Sequence, residues 1–342
     1  MPFSFVVYLG KKRGTMKSFS NTLLQWYDLH HRELPFRLNR NPYQIWISEI
    51  MAQQTRIEAL LPYYQRFMKE FASISSIAEA TEEQLYQVWQ GLGYYSRVRN
   101  IRKTAEICVR DYNGNLPDTY EKLVKLPGIG PYTAAAISSI CYGEHRSVVD
   151  GTVLRVMARF LDDHTEIGSG KHKTEITDLL NEWMDRDRPG DFNQAMMELG
   201  ALVCIPNGMP HCEKCPLRKE CLGYQRNTMT QLPVKKEKKA RKKEDRYVLL
   251  SYDGDTVWMR RRPSVGILAD MMEFPHETEE SFVQGATHLF DYIHVFSHVE
   301  WHMHVYEKTA VFSGQYVSVS SLRKEVAIAS AFAPIAEYVQ KK

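Results

Sequence analysis

Four cysteines, Cys204, Cys212, Cys215 and Cys221, fall within eighteen residues of a 342-residue chain. Thiolates are soft ligands, and such crowding in a reducing compartment points to a metal centre rather than to disulfides. The pattern Cys-x7-Cys-x2-Cys-x5-Cys suits structural zinc or a [4Fe–4S] cluster, and spacing alone does not choose between them. Cys108 and Cys141 stand singly in apolar helical patterns and are expected to be buried small hydrophobes. A second group is Leu126 to Ala134 (LPGIGPYTA), with two glycines two apart between helical stretches. A tight turn through Gly128 and Gly130 would aim backbone N–H groups at a phosphate, backed by the dipole of the next helix. That is the helix-hairpin-helix signature. Two carboxylates complete the set. Glu49, in SEIMAQQT, lies about 60° round a helix from Trp46, at the margin of an apolar stripe. Partial desolvation there would raise its pKa and let it hold a proton near neutral pH. Asp150, in VDGTV, ends an apolar run and can begin a helix as its N-cap.

These residues need elements to hold them. Residues 17 to about 225 read as helix after helix. Asn41-Pro42 is a cap followed by proline at the first helical position. Tyr43, Trp46, Ile47, Ile50 and Met51 then share one face. Further helical patterns cover 82–90, 97–111, 119–125, 131–141, 150–161, 172–185 and 191–202, punctuated by glycine and proline. Val234–Arg246 holds eight basic and three acidic residues and is expected to be a solvated linker. Beyond it the period changes to two. Tyr247–Tyr252, the turn Asp253-Gly254-Asp255 and Thr256–Arg260 read as a hairpin. From Ile293 to Tyr306 the alternation sets Val295, Ser297, Val299, Trp301, Met303 and Val305 against His294, Phe296, His298, Glu300, His302 and His304. A closing helix is expected over about 320–340. The fold class is therefore multidomain: an all-α domain followed by a small α+β domain. The net charge of +3 forces no conclusion about partners, and 44% hydrophobic residues suffice for sizeable cores. Collagen, coiled coil, wholesale disorder and a disulfide scaffold are excluded. No window approaches the ~18 uninterrupted apolar residues of a membrane helix, and Phe3–Leu9 is too short for a secretory signal. A cytosolic protein without membrane contact is expected.

Taken in order, SEIMAQQT, GLGYYSRVRN, LPGIGPYTA, VDGTV, the cysteine run, RRRPSVGILADMMEFP and HVFSH resemble the endonuclease III superfamily of DNA glycosylases. Within it they look most like the A/G-specific adenine glycosylases of MutY type, from about Trp26 to the C-terminus. The resemblance implies an N-terminal extension (1–15) and a helical glycosylase domain (16–228) with a helix-hairpin-helix at about 119–141 and a cluster loop at 204–221. A basic linker (229–246) and a Nudix-like 8-oxoguanine recognition domain (247–342) would follow. It implies that Glu49 protonates N7 of an extruded adenine and that Asp150 stabilises the oxocarbenium-like sugar. Chemistry demands such a pair, because adenine leaves poorly as an anion and the sugar cation needs an ionised neighbour. Tyr132 stands where bifunctional relatives carry a lysine nucleophile, so base excision with little strand cleavage is expected. Arg32, Arg37 and Gln194 match the adenine pocket. Gln54, Thr55, Leu92 and Tyr94 match positions that wedge the duplex and contact the opposite base. Gly128 and Gly130 would meet the DNA backbone, and Phe296, Ser297 and His298 the damaged base. The four cysteines would hold a [4Fe–4S] cluster presenting Lys214, Arg218 and Lys219 to phosphates.

The second domain lacks the Nudix hydrolase signature, so it is expected to recognise rather than hydrolyse. His294, His298, His302 and His304, placed on one strand face, suggest a metal site or, the preferred reading, a polar face that meets DNA. The implied partner is double-stranded DNA carrying an A:8-oxoguanine or A:G mismatch. The implied state is a monomer in the cytoplasm, nucleoid-associated if bacterial. Three departures from the family pattern stand out. Seven residues rather than six separate Cys204 from Cys212, Phe36 replaces a tryptophan, and the first fifteen residues have no counterpart. The competing readings are a related glycosylase with another base preference, an inert DNA-binding scaffold, and a zinc-ribbon regulator.

Overall fold

The structure is a computed structural model; it describes residues 13–235, 240–263, 265–269, 271–309, 312–322, 326 and 328–342, and for 13–17 the backbone alone. The N-terminal extension thus lies mostly outside the described residues. Two compact units divide the chain. One joins the stretch ending at Gln53 to Thr104–Glu237, and the other joins Gln54–Lys103 to Lys238–Lys342.

The first unit is helical. Its elements are α1 (Arg13–His30), α2 (Pro42–Ala52), the second half of α6 (Ser96–Asp111), α7 (Tyr120–Leu123), α8 (Pro131–Tyr142), α9 (Gly151–Leu161), α10 (Gly170–Trp183), α11 (Pro189–Leu202) and α12 (Leu222–Gln225). Local chemistry starts them as the sequence predicts. The Asn41 side chain accepts the N–H groups of Tyr43 (3.0 Å) and Gln44 (3.3 Å), and Pro42 opens α2. Asp150 caps α9 by accepting the Val153 N–H at 2.8 Å. Between α7 and α8, Gly128 sits at φ +75°, a left-handed value that side chains resist, and Gly130 caps α8 ahead of Pro131. The Thr104 hydroxyl donates to the Pro127 carbonyl at 2.8 Å and pins this turn. A core of α1, α9, α10 and α11 buries Phe19, Phe160, Phe192 and Trp183, with Phe19 5.0 Å from the rings of both Phe160 and Trp183. Each such side chain contributes about 2–3 kcal/mol by leaving water. At Gly190 a Cβ would lie 2.6 Å from Ile140 Cα, so only glycine lets α11 rest directly on α8. Cys108 is buried as expected. Cys141 is only half-buried, because it falls in the last turn of α8.

The second unit combines α3 (Ile57–Glu70), α4 (Ile74–Glu79), α5 (Glu82–Trp89) and the start of α6 with two four-stranded sheets and α13 (Ala333–Lys341). Its strands are β1 (Lys242–Leu250), β2 (Tyr252–Asp253), β3 (Thr256–Arg261), β4 (Met272–Glu273), β5 (His276–Glu277), β6 (Thr287–Val295), β7 (Val299–Glu307) and β8 (Gln315–Ser318). One sheet has the order β5-β1-β7-β6, with β1 and β7 parallel; the other is β2-β3-β4, with β8 on β3. Four expectations need correction. The linker is shorter than its charge run, since β1 begins at Lys242, whose partner on β7 is Val299; residues 236–239 lie outside the described residues. The alternation over 293–306 is two antiparallel strands, because Phe296 donates to the Val299 carbonyl at 2.8 Å and closes a turn at Phe296-Ser297-His298. The apolar face therefore changes parity across the turn: Val299, Trp301, Met303 and Val305 are buried, whereas Val295 is exposed. For the same reason the four histidines do not share a face. His294 pairs with Trp301 on the covered side, His302 and His304 pair with Ile293 and Asp291 on the other, and His298 is in the turn. Finally, the closing helix starts only at Ala333, behind short 3-10 turns at Val319–Ser321 and Ser330–Phe332; 323–325 and 327 lie outside the described residues.

Candidate active site

The apolar stripe of α2 buries Trp46, Ile50 and Met51, which carries Glu49 inward at its edge as a half-buried residue. Protein atoms crowd its carboxyl, and this desolvation raises its pKa from an ordinary 4.5 to about 7. The Arg37 charge opposes the rise, Asp150 adds to it, and a hydrogen bond with Tyr132 opposes it. Tyr132 comes from the first turn of α8, so the glycine turn that can grip a phosphate also delivers this hydroxyl. Burial holds the Tyr132 phenol protonated far above its usual range. The hydroxyl donates to Met197 Sδ at 3.0 Å. One O–H cannot serve two acceptors: a neutral Glu49 can donate to the phenol oxygen, whereas an ionised one would compete with Met197 for the phenol proton. Asp150 approaches from the N-terminus of α9, half-buried, with one oxygen committed to the Val153 N–H.

Arg37 is aimed by the 3-10 turn Pro35–Arg37, where buried Phe36 anchors the chain. Its Nη1 donates to Glu198 Oε2 at 2.8 Å. Arg32 donates to the same carboxylate from its backbone N (2.9 Å), Nε (2.8 Å) and Nη2 (3.1 Å). Glu198 is fully buried; burial alone would raise its pKa, and the Arg32 hydrogen bonds and the Arg37 charge reverse this and hold it below the usual range. Sequence reasoning missed Glu198. The signal was present in FNQAMMELG, where a lone acid lies one helical turn after Gln194 in an apolar run. Gln194 itself is buried.

In the second unit, Gly91 and Gly93 take positive φ on either side of Leu92, and Tyr94 follows at φ +48°. Leu92 is buried, while Tyr94 is 52% exposed. Arg97, itself buried, donates to the carbonyls of Leu92 (3.0 Å) and Gly93 (3.2 Å) and braces this corner. The Tyr94 hydroxyl lies 3.3 Å from Ser297 Oγ, so two residues singled out 203 positions apart meet. Ser297 and His298 are exposed in the turn, and Phe296 leans edge-on to Trp301. Gln54 is exposed at φ +60° and Thr55 is half-buried. His304 is held between Asp291 (3.0 Å) and Asp245 (3.2 Å).

The cysteine loop folds back on α9. The four thiols are free and half-buried, and no group of three ligand side chains among the described residues is closed around a metal-sized centre. The donor set nonetheless fits a thiolate-bound metal. Arg159 is buried and donates from Nη1 to Cys204 Sγ (3.4 Å) and to the Ile205 carbonyl (2.8 Å). Its own carbonyl is met by Cys221 Sγ at 3.4 Å. Arg155, one turn earlier and also buried, donates to the carbonyls of Cys204 (3.0 Å) and Gly200 (2.9 Å). Arg159 thus meets a cysteine sulfur directly and Arg155 lies near enough to feel its charge, so two buried guanidinium groups flank a sulfur that metal binding would make negative.

Residues 47–185 match the HhH-GPD superfamily of base excision DNA repair proteins, and 246–338 match a NUDIX domain. An adenine DNA glycosylase of Buchnera aphidicola is 36% identical over 75% of this chain and 73% of its own length. The adenine DNA glycosylase of Rattus norvegicus is 32% identical, over 84% and 70%. Among solved structures, a thermostable thymine-DNA glycosylase superposes with TM-score 0.57 at 27% identity, covering 62% of this chain and 97% of that one. Endonuclease III trapped on DNA superposes with TM-score 0.53 at 22% identity, over 62% of this chain and 98% of that one, a likeness of fold alone.

Proposed function

This chain belongs to the adenine DNA glycosylases, base-excision repair enzymes, and we propose that it removes adenine paired with 8-oxoguanine or guanine. The observation that carries the reading is the pairing of a desolvated Glu49 with Asp150 in one helical unit, beside Arg37 and Tyr132. Glu49 holds a proton near neutral pH and gives it to N7 of the extruded base, so that adenine leaves neutral. Asp150, ionised, faces the positive charge that develops on the sugar as the glycosidic bond lengthens. Water then completes hydrolysis. With Tyr132 where a lysine nucleophile would stand, no covalent Schiff base forms, and the strand stays intact until a separate step. Glu198 locks Arg32 and Arg37 as a rigid wall of the base pocket, with Gln194 beside it.

Duplex DNA is gripped through the Gly128–Gly130 turn, where the Ile129 N–H is taken by the Leu126 carbonyl and the glycine N–H groups suit a phosphate. The opposite base is read by Tyr94 with Phe296, Ser297 and His298; the Tyr94–Ser297 contact supports a shared role. Cys204, Cys212, Cys215 and Cys221 hold a [4Fe–4S] cluster, which when bound orders the loop bearing Lys214, Arg218 and Lys219. The protein acts as a monomer. The test is incubation with duplexes carrying adenine opposite 8-oxoguanine, guanine, cytosine or thymine, followed by alkaline cleavage of abasic sites. Excision confined to the first two supports the reading. Release of thymine or an oxidised pyrimidine instead of adenine would assign the chain another base.

A further inference from the structure

Asp150 is the last residue of a stretch with no regular structure, 143–150, and something must fix how far along that stretch the carboxylate sits. Asn193 on α11 is the buried group that meets it. Its Oδ1 accepts the Val148 N–H at 2.9 Å, and its Nδ2 donates to the Arg146 carbonyl at 2.9 Å. One side-chain amide thus pairs with a backbone donor and acceptor two residues apart, as a neighbouring β-strand would. The remaining Nδ2 proton goes to Ser139 Oγ at 2.8 Å, and Ser139 donates on to the Ala135 carbonyl of α8 at 2.7 Å. From the opposite side Asn181 accepts the Ser147 N–H at 2.7 Å, and the Ser147 hydroxyl donates to the Thr177 carbonyl at 3.1 Å. Every polar atom of the Asn193 amide is used.

We propose that Asn193 is a positioning residue for Asp150, setting the register of the segment that delivers the carboxylate to the sugar. The inference rests on the reading of Asp150 given above. The Asn193 amide is committed to Val148, Arg146 and Ser139, so it acts on Asp150 from two residues upstream, through Val148. The Asp150 side chain accepts the Val153 N–H of its own helix, a bond that moves with the backbone, so its height is left to the backbone on either side. Behind Asp150 the backbone is held by α9, and ahead of it by the Asn193 amide. A displacement of about 1 Å at a reacting centre costs roughly a hundredfold in rate. Losing the amide leaves the segment held from the Asn181 and Thr177 side alone, so that a shift of that size becomes accessible.

The experiment compares the full-length wild type with Asn193→Ala, Asn193→Asp and Ser139→Ala. Asn193→Asp keeps the acceptor for Val148 but sets an oxygen against the Arg146 carbonyl. Ser139→Ala removes only the outer bond and is the mild member if the others fold poorly. Two readouts are taken: single-turnover excision, and affinity for duplexes whose abasic site is a cationic pyrrolidine or a neutral tetrahydrofuran. An ionised, well-placed Asp150 makes the wild type prefer the cation. Both Asn193 variants are expected to lose about a hundredfold in rate and most of that preference, with tetrahydrofuran affinity little changed; Ser139→Ala should lose a smaller part of both. In an Asp150→Asn background, Asn193→Ala should remove no further preference, because the charge it positions is already gone. Retention of the cation preference in the Asn193 variants, or full additivity with Asp150→Asn, would overturn the proposal. If the variants fold too poorly to assay, an undiminished preference in Ser139→Ala counts against it. A wild type that does not distinguish the two sugars would instead remove Asp150 from the mechanism.

Discussion

Glu49→Gln should disable the enzyme and stabilise it, and the two effects have one cause. The amide preserves the shape of the side chain and a partner for Tyr132 but has no proton to give N7, so excision should fall about a hundredfold or more. The same carboxyl burdens the fold. Burial raises its pKa from 4.5 in the unfolded chain to about 7 in the native state. At 1.36 kcal/mol per unit this difference is worth about 3 kcal/mol, an upper bound because the group keeps some exposure. Below pH 4.5 both states are protonated and no penalty exists. As pH rises, the unfolded chain releases its proton first, so native stability declines until the folded group ionises near pH 7 and then levels. Glutamine never ionises. Its advantage over glutamate should therefore be small at pH 4.5, grow between 4.5 and 7, and stay constant above. Urea unfolding of the two proteins at pH 5, 6, 7 and 8, comparing the same transition in each, measures the difference directly. An advantage that is flat with pH, or that shrinks toward alkaline pH, refutes the claim that Glu49 is held neutral by burial.

Removing the Arg37 charge, as in Arg37→Met, withdraws an influence that lowers the Glu49 pKa, so the alkaline limb of the single-turnover rate should move to higher pH; a limb that stays put or moves down contradicts the assignment. Protein purified without oxygen should be brown, and Arg159→Met, which strips the N–H donor from Cys204, should hold less iron at equal expression; colourless wild type with one equivalent of zinc would replace the cluster by a zinc site. Ser297→Ala combined with Phe296→Ala should leave adenine excision opposite guanine intact and reduce the preference for 8-oxoguanine by ~1–3 kcal/mol, read from single-turnover rates on the two duplexes. An unchanged ratio there would separate the turn from base recognition.

Much of this molecule is legible in one dimension because the causes are local. The helix starts at Asn41-Pro42 and Asp150, the glycine turn before Tyr132, and the switch to a two-residue period all follow from residues within a few positions of one another. Where reasoning failed, a nearby turn or a distant partner was responsible. An unbroken alternation over 293–306 hid a hairpin, because a three-residue turn leaves the pattern intact while exchanging the face it describes. The charged run before β1 looked solvated, yet Lys242–Arg246 pairs with β7, a strand some sixty residues later. The family resemblance implied a pocket role for Arg32 and Arg37 but gave no sign that both are committed to Glu198, more than 160 residues away. Residue types and their order determine which groups are available for proton transfer, phosphate contact and metal ligation. Tertiary packing decides the state of each: whether Glu49 is dry enough to keep its proton, which sulfur meets Arg159, and at what height Asn193 holds Asp150. Burial and charge pairing are sums over neighbours that only the folded chain brings together.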